Sequence, residues 1–474
     1  MQWSQQSLDL FDMYRSTDRN VIVQACPGAG KTTNIKHLWS LDGKPTVYLV
    51  FNKHNQIEAQ QKLSPKAGSA VLTLNGLGHR AITATFGKVQ LDDKKVHNIV
   101  KQHINFGLCL YQIKRQREWQ LINAVRQAKA VLVRLSPRSF DTMLDDYDLE
   151  SYDGMYKDVQ TCLDINDRQT SVIDFADQIR LPALYDLTLP EYDNVLGDEV
   201  QDFNALQALL VSKLQADRYV FVGDQHQSIY GFRGAMSNSM QVLADKFKCT
   251  ELPLSVTYRC ASNIVNQASL IFPGAIQAWE QSAEGQVYSS INHDKLSYVG
   301  DVLVVCRCNA PLIALAFNLL RQGIACHVRG RDIGAGLIKL IDQLQCTSVR
   351  SLIAELQLWY EMEYDKALAK EDETKVQKVQ DKYDSLLLFT EKCKLDDSVD
   401  CVKQCIVDLF EQGRGICLST VHKAKGLEAE QCYIVRHKLH DIFAKRARTV
   451  EDREQELNCK YVAVTRAKQT LVYM

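Results

Sequence analysis

The sequence predicts an α/β protein in two halves, each a parallel sheet with crossover helices and each interrupted by a mainly helical segment. Three observations lead there. Short β-branched runs alternate with helix-like stretches along most of the 474 residues, as strands joined by crossover helices do. The alternation lapses twice, over residues 82–168 and 342–412, where charged helical sequence takes over. The stretch Ala25, Cys26, Pro27, Gly28, Ala29, Gly30, Lys31, Thr32, placed after the apolar residues 20–24, reads as a strand feeding a phosphate-cradling loop and then a helix. Small residues there let backbone N–H groups curl around phosphate oxygens while the helix directs its positive end at them. Lys31 would neutralise β- and γ-phosphates and Thr32 would ligate Mg²⁺. Ala25 replaces the first glycine of the common pattern, which is allowed where φ need not be positive.

The strand-like runs of the first half are residues 20–24, 46–51, 70–74, 193–196 and 218–222. The second half begins near Leu252 and has runs at 301–306, 324–328, 415–420, 431–435 and 470–473, with a helix-like stretch at 311–322. The expected organisation is a sheet lobe over 1–81 and 169–250 with a helical insertion at 82–168, then a second lobe over 251–341 and 413–474 with a smaller insertion at 342–412. The charged run 366–383 reads as a solvated helix face.

Apolar residues make up 46%, enough for large cores, and a net charge of −1 leaves any polyanion partner to local patches. Residues 1–12 lack the apolar stretch of a secretory signal, and no run reaches membrane-spanning length. A cytoplasmic protein of a bacterial or phage-infected cell is expected, with its fifteen cysteines reduced and mostly buried. The closest cysteines, Cys306 with Cys308 and Cys401 with Cys405, form no paired CxxC set, so the spacing predicts no cysteine metal centre.

Two further clusters sharpen the phosphate loop. Asp198, Glu199, Val200, Gln201 and Asp202 follow an apolar strand and precede the helix-like residues 203–214. Adjacent acids at a strand's carboxyl end suit Mg²⁺ binding by Asp198 and activation of water by Glu199. An acidic helix N-terminus is the bland alternative. Residues 223–235 follow the next strand and supply Gln227, a candidate γ-phosphate sensor, and then Tyr230, Phe232 and Arg233. These can stack on bases and pair with phosphate, or form core.

In this order the motifs make the chain resemble a superfamily 1 DNA helicase of the UvrD/Rep/PcrA type, over roughly residues 3 to 470. The resemblance implies two RecA-like P-loop NTPase lobes with ATP and Mg²⁺ bound between them. The phosphate loop and the following Thr33 resemble motif I, residues 198–202 motif II and residues 223–235 motif III. Residues 254–259 resemble motif IV, which implies adenine stacking by Tyr258 and γ-phosphate contact by Arg259. Residues 418–428 resemble motif V, with Glu428 near the ribose or the magnesium–phosphate network, and residues 461–468 resemble motif VI, with Arg466 as arginine finger. The adenine-reading glutamine should lie near the N-terminus, where Gln5 and Gln6 both qualify and Gln6 is preferred. Phe51, Asn52 and Lys53 resemble motif Ia, and residues 73–79 resemble motif Ib. Phe51, Tyr230 and Phe232 would stack on bases, and Lys53, Thr73, Asn75 and His422 would contact the nucleic-acid backbone.

The implied activity is ATP-driven translocation of a monomer on single-stranded DNA, 3′ to 5′ by family polarity, with unwinding at junctions of single and double strands. One alternative is a translocase that strips proteins from single strands with little unwinding, motivated by the short second insertion. Another is an ATP-gated scaffold with little turnover, which Glu199, Arg259 and Arg466 argue against. Asn75 stands where many relatives carry histidine, and Thr33 where PcrA-like enzymes often place an arginine against adenine, leaving Tyr258 as the main stacking partner. The short second insertion and the end of the sequence just after motif VI mark a compact member, and the basic residues 438–448 read as a solvated loop rather than a grip on duplex.

Overall fold

The computed structural model describes residues 3–107, 111–131, 134–147, 149–229, 238–289, 300–369, 373–411, 415–435 and 450–474. It divides into two compact units, residues 1–25 with 30–254 and residues 26–29 with 255–474.

The first unit is built on a six-stranded sheet of β1 (Val21–Ala25), β2 (Thr46–Val50), β3 (Ala70–Thr73), β4 (Asn194–Asp198), β5 (Arg218–Gly223) and β6 (Thr250–Leu254). Their order is β3-β2-β4-β5-β1-β6, with every pairing parallel. β2, β4 and β5 are buried along their whole length, as strands covered on both faces must be. The sequence reading missed β6: its Thr-Glu-Leu-Pro-Leu mixes polar and apolar residues around a proline, and an edge is where a sheet tolerates proline. The register sets Asp198 opposite Val222 and Val222 opposite Val23, so β1, β4 and β5 end level and their loops leave from one edge. Ligand sites of open parallel sheets lie outside such carboxyl ends.

Between β3 and β4 the helices Lys95–His103, Tyr111–Val131, Pro137–Asp146 and Met155–Arg168 close around a core of their own that includes Val96, Val100, Leu121, Val125, Phe140 and Val159. At its foot Gln90–Leu91 pairs with Val172–Ile173, a two-residue ladder too short to register as a strand pattern. A buried ion cluster fastens this body to the following helix, Asp177–Leu184. Lys95 Nζ lies 2.8 Å from Asp177, and Lys129 Nζ lies 2.6 Å from Asp174 and 2.8 Å from Asp177. Burial alone would raise the Asp177 carboxyl, but Lys129 and Lys95 outweigh it and hold the group below its ordinary range. Removing one partner of such a set strands a buried charge, at a cost of about 3–5 kcal/mol. Helix Leu74–Phe86 crosses Asp177–Leu184 so closely that a Cβ on Gly78 would sit 1.7 Å from Gln178 O.

The second unit carries β7 (Gln286–Tyr288), β8 (Val302–Cys306), β9 (Cys326–Arg329), β10 (Ile416–Thr420), β11 (Ala429–Ile434) and β12 (Ala467–Tyr473). They form a parallel sheet in the order β7-β12-β11-β8-β10-β9. The helices Arg331–Leu344, Val349–Ala369, Glu373–Thr390 and Val399–Glu411 differ from the first insertion, because Leu386, Phe389, Ile406 and Phe410 share one core with Val304, Leu312 and Leu418. Asp381 of that helical set accepts from Asn309 N (3.0 Å) and Ala310 N (2.8 Å), supplying the N-terminus of helix Ala310–Arg321 with the acceptors it lacks. No described helix is long and apolar enough to cross a membrane.

Candidate active site

The first unit gathers acids and amides along the level edge of its sheet. Gly28 and Gly30 take φ of +76° and +78°, the left-handed turns that bring the chain from β1 into the helix Lys31–Ser40. Lys31 Nζ donates to Ala25 O at 3.1 Å and Asn34 Nδ2 to Gly30 O at 3.0 Å, bracing the loop from its own helix. Thr32 is exposed in the first turn and Thr33 is half-buried.

Asp198 is buried at the end of β4. Tyr48 Oη donates to its Oδ2 at 2.8 Å and Glu199 N to its Oδ1 at 2.9 Å. Burial first, and then the neighbouring charge of Glu199, push the Asp198 carboxyl up to about 7 against the opposing pull of Tyr48 and Lys31. Burial and Asp198 likewise hold the Tyr48 hydroxyl well above its ordinary range, so it remains a donor. Glu199 sits at φ +53°, a left-handed conformation that costs a non-glycine residue about 1–3 kcal/mol and turns its side chain out of the strand.

From Glu199 a hydrogen-bonded chain runs to the next strand end. Gln201 Nε2 donates to Glu199 Oε2, Asp224 N donates to Gln201 Oε1 (3.0 Å), and Gln227 Nε2 donates to Asp224 Oδ2 (2.8 Å). Gln24 Nε2 of β1 donates to the other Asp224 oxygen at 3.1 Å. Tyr48, Gln201 and Asp224 escaped the sequence reading. A tyrosine inside an aliphatic strand and a lone acid directly after Gly223 were the available signals.

Gln6 is half-buried in the first turn of helix Gln5–Ser16, whereas the Gln5 amide is held by Asp9 at 2.8 Å. That helix packs on the helix following the phosphate loop, with Phe11 and His37 rings 4.3 Å apart.

Among the expected nucleic-acid contacts, Phe51 is 39% exposed just past β2. Asn52 caps helix Lys53–Lys62 by accepting from Asn55 N (2.9 Å), and Thr73 caps helix Leu74–Phe86 by accepting from Gly76 N (3.0 Å). Lys53 Nζ donates to Gln56 Oε1 at 3.1 Å. Asn75 Nδ2 donates to Phe175 O at 2.8 Å, and the Phe175 ring, not singled out in sequence, is 58% exposed. Tyr230, Phe232, Arg233 and the basic residues 438–448 lie outside the described residues.

The second unit holds the arginines. Thr257 Oγ1 donates to Pro27 O (2.7 Å) and Tyr258 N to Gly28 O (2.9 Å), and a Cβ on Gly28 would come within 2.4 Å of Arg259 Cβ. The half-exposed Tyr258 ring lies 5.7 Å from that of Trp279. Arg259 Nε pairs with Glu428 Oε2 at 2.5 Å, and Lys468 Nζ lies 3.4 Å from Glu428 Oε1. Burial acts to raise the Glu428 carboxyl, but Arg259 and Lys468 outweigh it and hold it below its usual range. Arg466 is buried, donating from Nε to Val462 O (2.9 Å), from Nη1 to Leu427 O (2.9 Å) and from Nη2 to Thr465 Oγ1 (3.2 Å). Burial, and then the charge of Arg259, push it down to about 10. His422 Nε2 lies 3.7 Å from Cys459 Sγ, whose thiol burial pushes up to about 12.

Residues 50–248 match the profile of the UvrD/REP helicase N-terminal domain, and residues 345–474 that of the UvrD-like helicase C-terminal domain. The chain is 26% identical over 302 residues to F-box DNA helicase protein 1 of Schizosaccharomyces pombe, covering 60% of this chain and 34% of that one. It is 24% identical over 349 residues to DNA helicase II of Escherichia coli, 65% of this chain and 47% of that protein. With ATP-dependent DNA helicase PcrA of Staphylococcus epidermidis it shares 28% identity over 197 residues, 39% of this chain and 26% of the other. The matched region thus spans less than half the length of each of these relatives.

Proposed function

We propose, for a chain that belongs to the UvrD/Rep helicase family, ATP-dependent translocation along single-stranded DNA in the 3′ to 5′ direction with unwinding of duplex. The observation that carries this reading is the linked set Asp198, Glu199, Gln201, Asp224 and Gln227 at the carboxyl edge of the first sheet, beside the phosphate loop.

Lys31 would hold the β- and γ-phosphates. The donor set fits a hard divalent cation: a hydroxyl and a buried carboxylate, the latter driven toward protonation by an adjacent acid whose repulsion a cation relieves. Thr32 and Asp198 would hold Mg²⁺, which would supply charge neutralisation at the phosphates. Glu199 would orient the attacking water and take its proton, and Gln227, tied to Glu199 through Asp224 and Gln201, would report the γ-phosphate. Arg259 and Arg466 would stabilise charge on the transferred phosphoryl group. Arg259 then exchanges one anion for another, and Lys468 remains beside Glu428. Tyr258 would stack on adenine and Gln6 would read its edge.

Phe51 would stack on a base, and the exposed Phe175 offers a second platform, each worth about 1–3 kcal/mol per base. Lys53, Asn75 and His422 would meet the strand's phosphates together with the helix N-termini capped by Asn52 and Thr73. Phe51 stands just past the end of β2, three residues beyond Tyr48, so displacement of Phe51 by a base has a short route to Asp198. Single-stranded DNA and its junctions with duplex would be the partners, and a monomer the working unit.

ATPase and strand separation measured on 3′-tailed, 5′-tailed and blunt DNA, with RNA equivalents, test the reading. A 3′-tail preference is expected. Preference for 5′ tails overturns the polarity, and stimulation by RNA alone overturns the substrate. Displacement of a bound protein without separation of tailed duplex would favour the stripping activity instead.

A further inference from the structure

We propose that Cys393, Cys401 and Cys405 form, in the reduced chain, a thiolate site for a soft divalent cation of the Zn²⁺ class. Cys393 lies three residues past helix Glu373–Thr390, and Cys401 and Cys405 lie one turn apart on helix Val399–Glu411, where an i, i+4 pair shares a face. Their three sulfurs all lie within 4.8 Å of one another and are half-buried. Cys393 and Cys401 are joined as a disulfide with Cα atoms 6.4 Å apart, which uses two of the three sulfurs and leaves Cys405 beside them. A tetrahedral ion with Zn–S bonds of about 2.3 Å sets thiolate sulfurs roughly 3.8 Å apart, within the 4.8 Å span of this cluster. The sequence reading noted Cys401 beside Cys405 but expected no cysteine metal centre, because Cys393 comes from across the turn.

The turn is braced independently of the sulfurs. Lys394 N donates to Asp397 Oδ2 (2.8 Å), Arg350 N to Leu395 O (2.8 Å) and Val349 N to Asp397 O (2.9 Å), so the Cys393 backbone is held facing the helix. Loading proceeds in two balanced steps. Two equivalents of a monothiol reductant convert the disulfide to two thiols and leave as their own disulfide. Three thiols and one divalent ion then give a complex of net charge −1 and three protons, with water in the fourth position. The ion would pin helix Glu373–Thr390, whose Asp381 caps helix Ala310–Arg321, to helix Val399–Glu411.

The test uses the full chain reduced with a phosphine and titrated with Co²⁺ as spectroscopic probe. One equivalent should bind with thiolate-to-cobalt charge-transfer absorption, be displaced by Zn²⁺, and lose that absorption in Cys405→Ser but keep it in Cys346→Ser. Independently of any variant, Zn²⁺ should slow alkylation of Cys393, Cys401 and Cys405 by about tenfold relative to the other thiols. A folded chain without the charge-transfer band, a band that survives Cys405→Ser, or equal alkylation with and without Zn²⁺ would each overturn the proposal.

Discussion

The two sheets hold their charged groups in opposite conditions. At the edge of the first, Asp198 and Glu199 set like charges side by side in a buried place, and Asp198 is driven up toward neutrality. In the second, Arg259 is neutralised by Glu428, and Arg466 donates to carbonyl and hydroxyl oxygens of its own unit. A crowded pair of acids favours any cation that joins it, so the first sheet is tuned by what it attracts. The paired arginines are oriented in advance and respond only to an anion that competes with their present partners, so the second is tuned by what it can release. Metal and phosphate affinity should therefore be governed by the first unit, and the gain on reaching the transition state by the second.

The sharpest way to break that division is Arg259→Ala, which should lower kcat by about 10³-fold or more while nucleotide binding changes little. ATPase beside equilibrium binding of a fluorescent nucleotide checks it, and equal losses in both would place Arg259 in ground-state binding. Glu199→Gln should cost about 10²–10⁴ in kcat through loss of the general base, again with binding retained. Single-turnover hydrolysis reads this directly. Tyr48→Phe removes a bond to a carboxylate, worth about 1.5–3 kcal/mol, and should raise the Mg²⁺ concentration for half-maximal turnover while leaving kcat nearly unchanged. A fall in kcat at saturating Mg²⁺ would contradict that role.

The smallest effect is on pH dependence. The Asp198 carboxyl is raised in the folded chain to about 7, so its contribution to stability is fully present below the unfolded value near 4 and is lost as pH rises through about 7. Without divalent cations, the stability of the native chain relative to Asp198→Asn should fall between pH 5 and pH 8. Thermal melts of both proteins across that range would show a constant difference if burial and Glu199 did not raise the carboxyl.

The sheets were legible in sequence where strands are buried on both faces, because β2, β5 and β8 are dominated by β-branched, aromatic and other apolar residues. β6 and β7 were not, since an edge strand can be polar, short or carry proline. Asp198 and Glu199, the acids proposed to act on metal and water, stand out in sequence by their place at the end of an apolar strand. Residues that orient them do not: Tyr48 reaches Asp198 from a neighbouring strand, and Gln201 links two strand ends, relations that only register creates. Asn52 and Thr73 act as helix caps, a local duty that their neighbours in sequence fit as well as a nucleic-acid contact. Residues 342–412 read as a second helical insertion, and their helices share the core of the sheet, because an apolar helix face does not declare which surface it will meet.

Steady-state ATPase of the full chain with saturating single-stranded DNA, beside Lys31→Ala, tests the central claim most directly. The account predicts turnover that rises sharply on addition of the strand and is abolished by the substitution. Turnover that stays at background with DNA present, or that survives the loss of Lys31, would contradict it.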